Sequence, residues 1–474
     1  MNGWIDSFEA YAQTLLGEAK APGAVVGVKK NGEWLYQGTF GYRDREQGLP
    51  LSMDTVFGIA SVTKSFTCVA IMQLQEAGKL SVHDPVVKYL PELRMGAEEW
   101  RNKITIHHFM THTPGMPPLP FLDGAMKRSL EQDPAIRGTE AEAELQKLPY
   151  LDTYEEVLAA ISDFNGAPLG EPGEVFSYNN DAYGLLGAII ERVSGQPYEQ
   201  YVTERILRPL GMSRTVFDVQ ELEHPEDVTV LYTTKKIEGV REVMAAPYWH
   251  DAPAMRAAGF LKSTASDLLT YLGIFCIGPE ADAKGVLSQE SIRQMKEAYA
   301  RCDGHRSYGY GLMVAQGFPD GLMIEHGGSL KGISSHIFAL PEKGLTGVIL
   351  CNLDGVSVRQ LALGLLHTIA GRPAEAQLYP IVPIELPIAN QVEYTGRYVS
   401  EEWLSATIEQ KDGCLRIVES DGLSYPLIPV EKDGFVFKRG NYVVWIDFFR
   451  SPAGEIVRMS YALRQLLKEK NKEK

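Results

Sequence analysis

Ser61-Val62-Thr63-Lys64 sets a serine and a lysine three residues apart. On a helix such residues share a face, so the Lys64 amine points toward the Ser61 hydroxyl. A serine hydroxyl is a poor nucleophile until a base takes its proton. A lysine serves as that base only when burial or neighbouring cations pull its pKa below the usual ~10.4. The flanking Phe57, Ile59, Ala60, Phe66, Cys68 and Val69 are apolar and supply burial. A helix start also turns its positive dipole end toward any developing oxyanion. Alone, S-x-x-K is too short a pattern to identify an enzyme.

Two further groups of residues bear on the same chemistry. Tyr178-Asn179-Asn180 lies in GEVFSYNNDAYGLLG, on a loop after Pro172-Gly173 and at a helix start. A tyrosine whose pKa of ~10 is lowered by a nearby lysine can shuttle protons. Asn180 can orient Lys64 and hold a substrate carbonyl. The plain alternative is a turn with a surface tyrosine and an N-capping asparagine. Glu325-His326-Gly327-Gly328-Ser329 puts two glycines on a strand edge, where another backbone can approach closely. His326 can supply charge or a hydrogen bond there. The alternative is a bulge with a satisfied surface histidine.

The elements that must position these residues are legible around them. Asn31-Gly32 between Ala24–Lys29 and Glu33–Thr39 predicts a hairpin. Thr55–Ala60 reads as a short strand. From Ser61 the apolar residues fall at helical spacing and stop at Gly78. Roughly residues 80 to 270 read as mostly helical, with a Thr153/Glu156 capping box and a helix over Ala182–Ser194 ending at Gly195. Pro114–Gly173 carries Pro114, Pro117, Pro118, Pro120, Pro134, Pro149, Pro168 and Pro172, and reads as a loop-plus-helix insertion walling a cleft. Ser334–Leu340 and Gly344–Asn352 form a second predicted hairpin, followed by a helix over Val356–Ala370. The expected fold is α/β (α+β): an antiparallel sheet flanked by helices, with an inserted helical subdomain.

The prolines at 373, 380, 383 and 387 mark an extended linker. Beyond it short period-two runs are split by Asp412-Gly413, Asp421-Gly422, Asp433-Gly434, Arg439-Gly440 and Ala453-Gly454. They predict a small all-β meander or barrel. The expected division is a unit over 1–372, a linker over 373–390 and a β-barrel-like unit over 391–474. LLKEKNKEK reads as a charged, frayed end.

In this order, the three motifs resemble those of the serine β-lactamase, penicillin-binding protein and related esterase superfamily. That family uses S-x-x-K, then Y-x-N, then K-T-G or H-x-G. FGIASVTKSFTCVAIMQLQEAGKLSVHDPVVKYLPE is similar to its first helix and following loop, and ITIHHFMTHTPGMP to its "THTSG" segment. The resemblance spans roughly residues 10 to 370. It implies that Ser61 attacks a carbonyl and forms an acyl-enzyme, with Lys64 and Tyr178 sharing the base and acid roles. It also implies an oxyanion held by the backbone N–H groups of Ser61 and Ser329. The third motif is His326-Gly327-Gly328 rather than Lys-Thr-Gly, so one cation and one hydroxyl that grip β-lactam carboxylates are missing. The pattern looks more like the esterases and D-aminopeptidases of the superfamily, several of which carry a C-terminal (lipocalin-like) β-barrel reaching back to the site. Gating of the cleft, oligomer contact and plain stability are all open roles for that barrel.

Composition bounds the rest. The chain has 474 residues, 45% hydrophobic and 23% charged, with a net charge of -15. Its acidic surface argues against nucleic acid or an anionic membrane as partner. Five scattered cysteines form neither a disulfide framework nor a zinc spacing. With no apparent signal peptide or apolar span of membrane length, the expectation is cytoplasmic residence. His108 and His112 are four apart, but Phe109 stands where a zinc protease needs glutamate, so they read as framework. No G-x-S-x-G elbow and no phosphate loop stand out, and no metal or cofactor is expected. The main expectation is a serine hydrolase of small esters or peptide-like amides, with a β module whose exposed edges suit a homo-oligomer. A β-lactamase or D,D-carboxypeptidase, and a non-catalytic ligand sensor on the same fold, are the alternatives.

Overall fold

Asn31 and Gly32 take left-handed backbone angles, φ 51° and 82°. They close the expected hairpin between β1 (Gly23–Lys30) and β2 (Glu33–Asp44). The computed structural model describes residues 3–137, 140–237, 240–276, 285–316, 321–402, 404–440 and 442–469. The charged end at 470–474 lies outside the described residues. The remaining strands of the first sheet are β3 (Leu49–Pro50), β4 (Ala300–Arg301), β5 (Arg306–Tyr308), β6 (Met313–Gln316), β7 (Leu322–Leu330), β8 (Ile333–Leu340) and β9 (Leu345–Cys351). They run β3-β2-β1-β9-β8-β7-β6-β5-β4, and every pairing is antiparallel.

Both faces of the central strands are buried. Along β1 and β9, Val25, Val348 and Leu350 join one apolar cluster, while Ala24, Val26, Val28, Ile349 and Cys351 join another. Strand alternation sends neighbours to opposite faces, so helices must cover each face. The terminal helices α1 (Gly3–Glu18) and α4 (Val358–Ile369) cover one face. The other face carries the helix over Ala265–Leu272, and α2 (Thr63–Glu76) and α3 (Asn180–Ser194), buried along most of their length, extend the same apolar cluster. Each fully buried Val, Leu or Ile side chain contributes about 1.5–3 kcal/mol.

Three local expectations need correction. The Thr55–Ala60 strand shrinks to Phe57–Gly58, paired with Lys262–Ser263. Ala60, at φ 43°, breaks the extended run. Ser61 therefore sits in a 3-10 turn over Ala60–Val62, and the α-helix starts at Thr63. The mostly helical block contains a β-hairpin, Tyr232–Ile237 with Val240–Ala245. The proline-rich insertion holds helices over Phe121–Gln132, Glu140–Leu145 and Tyr154–Asp163, the last opened by the Thr153/Glu156 capping box. Among the described residues no helix is long and apolar enough to cross a membrane.

The C-terminal strands are β10 (Gly396–Val399), β11 (Ser405–Lys411), β12 (Cys414–Glu419), β13 (Ser424–Pro426), β14 (Ile428–Glu431), β15 (Gly434–Arg439), β16 (Tyr442–Arg450), β17 (Ile456–Tyr461) and β18 (Arg464–Lys468). They form a nearly closed sheet in the order β13-β12-β11-β10-β18-β17-β16-β15-β14. Its inner face packs Tyr398, Ile408, Ile417, Phe435, Ile446, Met459 and Leu466. Gly413, Gly422, Gly440 and Gly454 take the left-handed angles their turns require. The β17–β18 turn departs from this rule. Ala462 and Leu463 stand there at φ 48° and 65°, with no glycine.

Candidate active site

Lys64 is completely buried, in the first turn of α2. Its Nζ lies 3.3 Å from Ser61 Oγ, and it donates to Asn180 Oδ1 at 2.9 Å and to the Ala258 carbonyl at 2.5 Å. Burial is the main force holding its pKa well below the ordinary lysine value, and the Arg464 cation adds to it. A lysine that loses its proton this readily can take one from a hydroxyl at hydrogen-bond reach.

Asn179 caps α3 by accepting the Ala182 N–H, and Asn180 is the first helical residue. Tyr178 is thereby fixed just outside the helix, with the Lys64 Nζ 4.8 Å from its ring centre. Burial pushes the Tyr178 phenol up to about 12, while its hydrogen bond with Ser61 and the Arg464 cation pull the other way. The phenol therefore keeps its proton at neutral pH and can donate it.

The third segment lies on β7. Among the described residues β6 pairs with β7 only as far as Glu325, which leaves His326–Leu330 an unpaired edge on that side. Ser61, Tyr178, Asn180, Gly327, Gly328 and Ser329 line one cleft of about 720 Å³ along it. Gly328 is required by sterics. A Cβ there would stand 2.2 Å from the Ile59 carbonyl oxygen and 2.4 Å from Ser335 Oγ. Gly327 has no neighbour closer than 3.6 Å to such a Cβ.

His326 lines the cleft but does not carry charge, contrary to one sequence expectation. It is 1% exposed, and burial pulls its pKa to about 3. Its Nδ1 lies 2.7 Å from the Gly327 carbonyl, so Nδ1–H donates there. Nε2 then accepts the Tyr308 hydroxyl at 2.8 Å. The ring is a neutral strut behind the cleft wall.

Two further contributors complete the site: one was read from the sequence only as framework, and the other was implied by the family resemblance with none of its residues singled out. His112 stacks on Tyr178 at 4.2 Å between centroids and accepts the Asn179 N–H on Nδ1 at 3.0 Å. Its place in THTPG offered a signal, but the i, i+4 histidine pair directed attention to metals. Among the described residues no His/Cys/Asp/Glu group is placed to hold a metal. The second contributor is the barrel. Arg439, Tyr442, Val444 and Tyr461 through Arg464 line the same cleft. Nothing in the sequence ties position 464 to position 61.

Backbone strain gathers at this place. Of nine non-glycine residues with positive φ among the described residues, Ala60, Phe260, Ala462 and Leu463 line the cleft and His112 stacks on Tyr178. Such angles cost of order 1–3 kcal/mol each and persist where the surroundings over-determine them, as at working sites.

The family model named Beta-lactamase matches residues 8–368, and the chain belongs to that family. Protein Rv1367c of Mycobacterium tuberculosis (strain ATCC 25618 / H37Rv) is 30% identical over 305 residues, covering 62% of this chain and 71% of that protein. The octameric penicillin-binding protein homologue from Pyrococcus abyssi is similar over 99% of this chain and 100% of its own, with a TM-score of 0.68 and 28% identity. A D-stereospecific amidohydrolase from Streptomyces sp. is similar over 74% of this chain and 97% of its own, with a TM-score of 0.58 and 26% identity.

Proposed function

We propose that the protein is a serine hydrolase that cleaves small esters or peptide-like amides through an acyl-enzyme on Ser61. The observation that carries this reading is Lys64. It is wholly buried, reaches Ser61 Oγ at 3.3 Å and is aimed by Asn180 and the Ala258 carbonyl. In the proposed course, neutral Lys64 takes the Ser61 proton as Oγ attacks the carbonyl carbon. The oxyanion is held by the backbone N–H groups of Ser61 and Ser329. Tyr178 gives its proton to the leaving oxygen or nitrogen and regains one from the lysine ammonium. Water then attacks the ester by the reverse proton path and frees Ser61.

Substrates with D-residues are part of this reading. The similarity to a D-stereospecific amidohydrolase supports it, and His326-Gly327-Gly328 in place of Lys-Thr-Gly argues against β-lactams. Residues 1–372 form the catalytic unit in this reading, 373–390 the linker and 391–474 the barrel. A homo-oligomer is also proposed, supported by the octameric Pyrococcus abyssi homologue. A reducing, cytoplasmic setting is part of the same reading, on the scattered spacing of the five cysteines.

The test is hydrolysis of p-nitrophenyl esters, D- and L-aminoacyl p-nitroanilides and nitrocefin by wild type and Ser61→Ala. Ser61-dependent cleavage of D-aminoacyl anilides is the expected result. Ser61-dependent turnover of nitrocefin alone would make the protein a β-lactamase. Absence of any Ser61-dependent turnover would favour the sensor reading.

A further inference from the structure

The β17–β18 hairpin leaves the barrel and ends on the catalytic centre. Its tip is held by hydrogen bonds to the segment that carries Tyr178, each with a backbone group on at least one side. The Tyr178 N–H donates to the Leu463 carbonyl at 2.8 Å. The Gln465 N–H donates to Ser177 Oγ at 3.2 Å, and Gln465 Nε2 donates to the Phe176 carbonyl at 3.0 Å. Further along the hairpin, Arg458 donates to the Leu169 carbonyl. These bonds fix the strained Ala462-Leu463 turn and place the next residue, Arg464. Its guanidinium carbon stands 4.6 Å from the centre of the Tyr178 ring, within cation–π range. The opposite side of that group is tied down, with Arg464 Nε donating to Glu402 Oε2 at 2.9 Å. Glu402 belongs to the barrel loop between β10 and β11.

We propose that Arg464 is a positioning residue of the catalytic centre, holding Tyr178 in place and keeping a fixed cation beside Lys64, with Glu402 setting how much of that charge the centre feels. This rests on the reading of Ser61, Lys64 and Tyr178 given above.

The surroundings leave few other charges for this task. From α2, the Cys68 thiol is pushed up to about 12 by burial. Burial also pushes Tyr183 and Tyr308 well above the ordinary phenol value. From the other walls, burial pulls His112 and His326 down, so both are neutral. Asp181, on the first turn of α3, is fully buried, has neither oxygen hydrogen-bonded and is held well above the carboxylate range. Asp123, at the rim, is pushed up by burial and by Glu402. The charges that bear most on Lys64 are the barrel pair, acting with opposite sign: Arg464 disfavours the ammonium and Glu402 favours it. The barrel thus reaches the base electrostatically through two residues 2.9 Å apart.

The test uses the full chain and needs no natural substrate. The rate of inactivation by a fluorophosphonate is followed against pH for wild type, Arg464→Met, Arg464→Lys, Glu402→Gln and Ser61→Ala. Labelling requires neutral Lys64, so the rate rises with pH through a midpoint. Arg464→Met removes a repelling cation and moves that midpoint up by about one pH unit. Arg464→Lys restores it, and Glu402→Gln moves it down. A purely structural role would slow labelling equally at every pH and leave the midpoint in place. Unmoved midpoints, or both substitutions shifting it the same way, overturn the proposal. If Arg464→Met does not fold, the sign of the Glu402→Gln shift decides. Labelling of Ser61→Ala at the wild-type rate would instead remove the nucleophile assignment. Inert Ser61→Ala with fixed midpoints removes only the role of Arg464.

Discussion

At the residue scale, the account turns on a lysine that must be uncharged. Depression of its pKa by burial places the rising limb of the pH–rate profile below the ordinary lysine value. Activity is lost as pH falls through that limb, because the protonated amine cannot accept the serine proton. Ser61→Ala and Lys64→Ala are each expected to lower kcat by about 10³-fold or more, and the double variant to lose little beyond either, since the two act as a unit. A multiplicative loss in the double variant would deny that unit. Tyr178→Phe keeps the ring beneath Arg464 but removes the proton donor, for an expected loss of about 10²–10⁴ in kcat. Ser61, Lys64, Tyr178 and Asn180 were legible because each pair of short patterns carried a physical reason for its spacing. His326 was misjudged in charge because its partners, Tyr308 and its own strand, are set by packing that spacing does not reveal.

At the scale of elements, the free edge of β7 and the start of α2 approach each other across Gly328. Gly328→Ala puts a methyl group against the Ile59 carbonyl and Ser335 Oγ. Overpacking of this kind costs about 1–3 kcal/mol. Because Ile59 leads directly into the Ser61 turn, Gly328→Ala should lower both the midpoint of thermal unfolding and the rate of Ser61 labelling. Gly327→Ala, whose Cβ would meet only ordinary van der Waals contacts from 3.6 Å outward, should leave thermal stability near wild type. Equal stability of the two variants would show that the steric argument fails. Hairpins at Asn31-Gly32 and the capping box at Thr153 were readable because their signals are local. The shortening of the Thr55–Ala60 strand was not, because the left-handed angle at Ala60 is imposed by contacts from distant parts of the chain.

At the scale of the whole molecule, a buried ion cluster ties the sheet to α4 beneath the cleft. Glu325 is 1% exposed, accepts Arg359 Nε at 2.9 Å and Arg306 Nη1 at 3.1 Å, and faces His336 Nε2 at 3.2 Å. These partners, Arg359 foremost, overcome burial and hold its pKa well below the usual carboxylate range. A carboxylate depressed on folding contributes stability that is fully present above its unfolded pKa, near 4.5. That stability is lost as pH falls toward the folded value. Glu325→Ala leaves Arg359 without its counter-ion, while Arg306 keeps Asp303, for an expected cost of about 3–5 kcal/mol at neutral pH in urea unfolding. A loss under 1 kcal/mol would mean the cluster contributes little. The barrel's β-character was visible in the change from helical to alternating period near residue 390. The return of the barrel to the site was implied by the family resemblance alone, and the residues that make it were not readable, since Arg464 and Tyr178 meet only through tertiary packing.

The central claim is that Ser61 is a nucleophile activated within this fold. Intact-protein mass spectrometry after exposure to a fluorophosphonate tests it most directly. The account predicts one covalent adduct per chain, mapped to Ser61, absent in Ser61→Ala and strongly reduced in Lys64→Ala. No adduct on the wild type, or an adduct that persists in Ser61→Ala, would contradict it.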